Sequence, residues 1–141
     1  AVFQPRRIVH AALIVSDMGR ALNYYTKAVG LTPLIGDAKS PFAVLGGTCG
    51  ERSLSLFRAG NGRQPGYHHA GFEMWSEDEL DAAIARAQAR NVKVDFDLSH
   101  PFRRSVFLTD PDGFRLQFFV DRGAALAALA ETGEDLALYL A

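Results

Sequence analysis

Hydrophobic and polar positions run through the same alternation twice along the chain. From His10, "HAALIVSDMGRALNYYTKAVGL" opens on a strand-like run of about six residues and passes at Asp17 into helical spacing. From His69, "HAGFEMWSEDELDAAIARAQARNV" repeats the pattern, passing into a helix at Ser76. Asp17 and Ser76 are residue types that cap helix N-termini, and Ser76 with Glu79 has capping-box spacing. Aligning the two histidines, an offset of 59 residues, brings Ala21, Tyr24, Tyr25 and Ala28 onto Leu80, Ala83, Ile84 and Ala87. That is the i, i+3, i+4, i+7 stripe of a helix laid on a sheet, so both sets are expected in the core. Gly30 and Asn91 supply the helix ends.

Three strand-like pieces follow each helix: "LTPLIG", "FAVLGG" and "RSLSLFRA" in the first copy, "VKVDFDL", "SVFLTD" and "RLQFFV" in the second. "DPDG" (110–113) is a turn sequence joining the last two, and "AGNGRQPG" (59–66) is the linker between copies. The remainder, "GAALAALAETGEDLALYLA", reads as a helix broken near Thr132-Gly133. The expectation is one α+β domain over 1–141: module one at about 7–58, module two at about 67–120, and a helical tail over 122–141.

Strand side chains alternate between faces, so each strand can be sorted. His10, Ala12 and Ile14 oppose Leu13 and Val15; His69, Gly71 and Glu73 oppose Ala70, Phe72 and Met74. Ser53, Ser55 and Phe57 oppose Leu54 and Leu56; Arg115, Gln117 and Phe119 oppose Leu116 and Phe118. One face suits the cover of a helix. The other gathers histidines, hydroxyls, an amide and rings, with the small Ala12 and Gly71 beside the histidines, as in a small-molecule site. His69 shares its register with His10 and is the informative histidine; His68 falls on the other side. One strand histidine is more often a hydrogen-bonded core residue, but two in equivalent slots bring metal binding level with that role. Imidazole suits iron, zinc, nickel and copper.

Composition narrows the function classes. A net charge of −1 gives no electrostatic case for nucleic acid or an anionic membrane. No apolar run approaches the roughly 20 residues of a membrane span. "AVFQPRRIVH" lacks the long apolar core of a secretory signal. Cys49 is the single cysteine, which excludes internal disulfides and cysteine-based zinc clusters. A reducing, cytoplasmic setting is expected.

Over about residues 7–120, "HAALIVSDMGRALNYYTKAVGL", "HHAGFEMWSEDELDAA" and "FLTDPDGFRLQFF" resemble the vicinal oxygen chelate superfamily. That superfamily holds glyoxalase I, fosfomycin and bleomycin resistance proteins, and extradiol ring-cleaving dioxygenases. The resemblance implies two βαβββ modules forming a half-open mixed β-barrel with helices outside. It also implies metal ligands at His10 and His69, and a third at the position held by Gln117. "HPFRRSVFLTDPDGFRLQ" (100–117) is similar to the extradiol signature. There His100 takes the slot of the outer acid/base histidine, Val106 the apolar slot, and Asp110, Pro111 and Gly113 the turn. Two slots depart: Phe107 stands for a tyrosine, and Gln117 for the glutamate ligand. A neutral amide leaves a more positive site and a weaker oxygen donor, and Phe107 has no hydroxyl to offer a bound catechol oxygen.

The resemblance thus implies an Fe(II)-dependent, extradiol-type oxidoreductase acting on a small aromatic molecule, with Mn, Zn and Ni as other metals. It admits a homodimer, with Leu136, Leu138 and Leu140 of the tail covering either this chain's sheet or a neighbour's. Two alternatives stay open: a metal-free protein that binds an antibiotic-like aromatic, and another glyoxalase-type reaction. Ser55, Phe57, Phe107 and Phe119 are the pocket candidates. Tyr24 and Tyr25 are expected in the core, Trp75 under a loop, Glu73 and Arg115 at the rim, and the arginines of "PFRR" in solvent.

Overall fold

The computed structural model describes the backbone of residues 1–141 and the side chains of all but residues 125 and 126. Its elements are β1 (Arg7–Val15), α1 (Met18–Tyr24), a π-helical turn (Tyr25–Val29), β2 (Thr32–Ile35), β3 (Phe42–Gly46) and β4 (Arg52–Arg58). Then come β5 (Gly66–Glu73), α2 (Glu77–Ala89), β6 (Phe96–His100), β7 (Arg103–Thr109) and β8 (Arg115–Asp121). The chain finishes with α3 (Ala125–Ala130) and α4 (Glu134–Leu140), parted at Thr132-Gly133 where the composition requires a break. The fold is α+β, a βαβββ pattern made twice.

The described residues form two compact units. One, here the His10 unit, holds His10–His68, Leu126–Tyr139 and Ala141; the other, the His69 unit, holds Ala1–Val9, His69–Ala125 and Leu140. Strand order is β2-β3-β4-β1 in the first set and β6-β7-β8-β5 in the second, so the two copies share one topology. In each, the first strand pairs parallel with the last and the other pairings are antiparallel.

Both ends of the chain belong to the unit that is distant in sequence. The Arg6 amide donates to the Glu73 carbonyl at 2.8 Å, and Phe3 stacks on Phe118 with centroids 4.4 Å apart. In the His10 unit, Arg63 donates to Glu134 at 2.6 Å and to Asp135 at 3.0 Å. Arg52 Nη1 donates to the Ala141 carbonyl at 2.7 Å, and His68 packs edge-on against Tyr139 at 5.6 Å.

The two helices start as their caps dictate: Asp17 Oδ1 accepts from the Arg20 amide at 2.9 Å, and Ser76 Oγ from the Glu79 amide at 3.1 Å. Each covers the aliphatic face of its sheet. Met18 and Leu22 pack with Ala43, Leu45, Leu54 and Leu56, flanked by Leu13 and Val15. Leu80 and Ala83 pack with Met74, Val106 and Phe118, flanked by Phe72, Leu108 and Leu116.

The stripe expected on the first helix is corrected at Tyr24 and Ala28, while Ala21 and Tyr25 pack against the core cluster. Tyr24 is exposed, Tyr25 only partly buried and Ala28 exposed, whereas the second-copy stripe is buried or nearly so. Beyond α1 the chain winds into the π-helical turn, where Thr26 Oγ donates to the Leu22 carbonyl at 2.7 Å and Gly30 closes the turn at φ +87°. That wider turn rotates Ala28 off a 3.6-residue stripe, while Met18 and Leu22 are the buried pair of α1. Tyr24 and Tyr25 instead meet edge to face at 5.5 Å and, with Arg20 and Pro65, line an open groove on the His10 unit.

Ion pairs tie α2 to the strand ends. Arg122 clasps Glu77, with Nη2 2.9 Å from Oε2 and Nε on Oε1. Arg104 donates to Asp97 at 2.9 and 3.1 Å and also to Asp81. The hydrogen bond from Arg122 holds the Glu77 carboxyl below its usual range. A lowered carboxyl stabilises the fold above its unfolded value of 4.5 and loses that contribution as pH falls through the folded value. Glu77→Gln is therefore expected to lower the thermal midpoint at pH 7, with the gap to wild type closing below about pH 4.5. Paired melts at pH 7 and pH 3 check this; an equal gap at both would remove the electrostatic explanation.

Candidate functional site

In the His69 unit the strand register builds one polar face. Gly71 on β5 lies opposite Gln117 on β8. On β7, Phe107 lies opposite Gln117, Ser105 opposite Phe119 and Arg103 opposite Asp121. Residues two apart on a strand and directly opposed residues on neighbouring strands point to the same side. His69, Gly71, Arg103, Ser105, Phe107, Gln117, Phe119 and Asp121 therefore share a face, away from α2. His69, Ser105, Phe107 and Gln117 are each 0% exposed and Phe119 is 1% exposed. The His69 ring meets Phe107 edge-on, centroids 5.5 Å apart at 88°.

The His10 unit repeats the plan. Ala12 lies opposite Ser55 and Ile14 opposite Phe57, with the buried His10 two residues before Ala12. His10 thus corresponds to His69, Ala12 to Gly71, Ser55 to Gln117 and Phe57 to Phe119. Ser55 and Phe57 are buried, and Phe57 stacks with Phe42 at 5.8 Å.

The donor chemistry on the His69-unit face fits a divalent cation. Gln117 Nε2 donates to Ser105 Oγ at 3.0 Å, which fixes the amide and turns its oxygen, the cation-binding end, away from that hydroxyl. An outer hydrogen bond that orients a donor in this way is a habit of metal-ligand shells. Among the described residues no group of three His, Cys, Asp or Glu side chains is gathered as for a metal ion. A metal held on this face would need the amide oxygen of Gln117. The His69 imidazole and an amide, both neutral, would leave both positive charges of such an ion for other groups to neutralise.

His100 is a strand residue rather than a loop residue: it ends β6 and lies opposite Arg103 across a tight hairpin. Arg103 is four residues from Phe107, so His100 stands about 13 Å along β7 from the level of Phe107 and Gln117. Its ring packs against Phe102 at 4.3 Å, and its carbonyl accepts from Arg122 Nη1 at 3.0 Å. The structure thus groups His69 with Gln117, Ser105 and Phe107, and sets His100 at the opposite end of the face.

The expectation that both arginines of "PFRR" are solvated is corrected. Arg103 is 1% exposed, with Nε 2.5 Å from Asp121 Oδ1, Nη1 on the Leu140 carbonyl, and its guanidinium 5.2 Å from the Phe119 ring centre. Burial pushes its pKa down, partly offset by Asp121. Ser105 and Arg103 are the residues of this buried face that sequence reasoning missed. Their signal was available: both lie at even spacing from Phe107. Trp75 is exposed rather than tucked under a loop, with the Arg6 guanidinium 5.0 Å over its ring. Glu73 pairs with Arg6 at 3.4 Å and Arg7 at 3.3 Å, while Arg115 lies 5.8 Å over Phe96.

Residues 7–118 match the model of the Glyoxalase/Bleomycin resistance protein/Dioxygenase superfamily, and the chain belongs to that family. No curated protein matches it. Similar solved structures include an extradiol ring-cleaving dioxygenase from B. fuscum, with TM-score 0.67 and 20% identity over 86% of this chain and 35% of that one. A homoprotocatechuate 2,3-dioxygenase from Arthrobacter globiformis gives TM-score 0.68 and 19% identity over 84% and 37%. The Mn(II)-bound glyoxalase from Novosphingobium aromaticivorans gives 0.65 and 16% over 82% and 38%. The chain therefore spans well under half of those proteins, and the likeness is one of fold. Among the described residues no helix is long and apolar enough to cross a membrane.

Proposed function

We propose that this chain is a divalent-metal enzyme of the extradiol dioxygenase type that transforms a small aromatic substrate. His69 and Gln117 are its donors from one unit, and His10 is the equivalent donor from the other, as the sequence resemblance implies. The observation that carries the reading is the Gly71–Gln117 pairing beside the buried His69, with the Gln117 amide held by Ser105. When bound, the metal supplies Lewis acidity and open positions for substrate oxygens; Fe(II) suits that chemistry, with Mn, Zn or Ni as other occupants. Phe107 and Phe119 offer ring surfaces to an aromatic substrate and keep water from the donors. Ser105 keeps the amide oriented. His100, at the Arg103 end, serves substituents of the substrate there rather than the donor atoms.

A second reading, metal-free binding of an aromatic compound, is favoured by the neutral Gln117 and by the hydroxyl-less Phe107. Metal analysis of protein purified without oxygen or chelators, followed by Fe(II) and Mn(II) reconstitution and a catechol panel, separates the two. Stoichiometric metal with a yellow ring-fission product is expected. Protein that retains no metal yet binds an aromatic ligand tightly supports the second reading and ends the first.

A further inference from the structure

We propose that Arg103 is an anion site on the same face, holding the Leu140 carbonyl in the structure and exchanging it for a carboxylate carried by the aromatic ligand. The inference rests on that face being the ligand site, not on its metal, and it makes the ligand an aromatic acid whose binding frees the Leu140 carbonyl.

A guanidinium at 1% exposure is rare, because a charge withdrawn from water is tolerated only with close partners. Arg103 has an unequal pair of them. Asp121 takes Nε at 2.5 Å, but its side chain is 41% exposed, so water answers much of its charge. Among the described residues the Nη1 end meets the neutral Leu140 carbonyl. A carboxylate makes charge-assisted, forked bonds to guanidinium that are roughly twice as strong as neutral ones. The carbonyl is therefore the partner that an incoming anion would displace.

The neighbouring arginine provides the contrast. Arg104 points from the other side of β7 and is committed to the carboxylates of Asp97 and Asp81, which leaves no comparable opening.

Position supports the exchange. The guanidinium lies over Phe119, and Phe119 is one same-face step from Gln117, about 7 Å along β8. One aromatic ring with oxygens at one edge and an acid group at the other has that length. His100, opposite Arg103, adds a further polar atom at this end: its Nδ1 is closed to solvent and has no hydrogen-bond partner among the described residues.

The test uses the whole chain in EDTA, with 4-hydroxybenzoate and its neutral isostere 4-hydroxybenzamide, binding being followed by calorimetry. The acid is expected to bind at least about tenfold more tightly than the amide, and Arg103→Gln to erase that preference while circular dichroism stays native. Hydrogen exchange of the last turn of α4 should quicken on binding the acid and not the amide. Equal binding of the two compounds, no binding of either, or a preference that survives Arg103→Gln would overturn the proposal. Should Arg103→Gln fail to fold, the wild-type comparison and Arg103→Lys, expected to keep only part of the preference, decide the matter. Because EDTA is present throughout, loss of the metal reading leaves this result untouched.

Discussion

His69→Ala is expected to lower divalent-metal affinity by at least about 100-fold, beyond the roughly 10–100-fold that loss of an outer-shell partner costs. His68→Ala, on the opposite side of β5 and against Tyr139, should leave metal content unchanged. Gln117→Glu should act the other way. It restores an anionic oxygen donor and is expected to tighten metal binding by about tenfold or more, since opposite charges attract strongly in a buried setting. Without metal the same change is costly, because it places a carboxylate at a site fully shut from water. The metal-free Gln117→Glu protein should therefore melt below wild type, and added Fe(II) or Mn(II) should raise its midpoint more than it raises the wild type's. Metal titrations and melts on the four proteins provide the check. Equal behaviour of the two alanine variants would dissolve the assignment of faces on β5.

The second large effect is at Phe107. Its ring is fully buried against His69 at 5.5 Å and Phe96 at 5.8 Å. Phe107→Ala is expected to cost about 3–5 kcal/mol in urea unfolding, the usual penalty for emptying an aromatic core site. Phe107→Tyr separates the two readings of this face. If the face holds ligand space, the added hydroxyl has room: stability falls by less than about 1.5 kcal/mol and catechol binding tightens. If the face is solid core, the hydroxyl overpacks it and brings no binding. A Tyr variant destabilised by more than about 3 kcal/mol, with unchanged ligand affinity, would turn Phe107 and its neighbours into packing residues only.

Much of this was readable from residue order. The duplicated strand–helix pattern, both caps and the break at Thr132-Gly133 depend on local chemistry, so local sequence suffices. The facial sorting held for the same reason. Alternation places Leu13, Val15, Phe72 and Met74 under the helices, and leaves His69 and Gln117 on the far side, because a strand has only two sides. The stripe on the first helix was not readable, because nothing in "NYYTKAVG" announces a π-helical turn. Its wider winding shifts the side chains that follow Tyr25.

Arg103 shows the limit most sharply. By composition, two consecutive arginines belong in water, yet even Arg104 has a side chain only 14% exposed, ringed by Glu77, Asp81 and Asp97. Arg103 is buried because the even register of β7 aims it at the face away from α2, where Asp121 and the Leu140 carbonyl meet it. The placement of the chain ends has the same origin. That residues 1–9 pack with the second copy, and α4 with the first, depends on contacts between segments more than 60 residues apart, such as Arg6 with Glu73 and Arg63 with Glu134. Short-range propensity and periodicity act over a few residues, and so they settled the repeat and its faces. Which arginine lost its water, and which unit each end of the chain joined, was decided by long-range packing, where the cost of desolvation and the reach of side chains outweigh local preference.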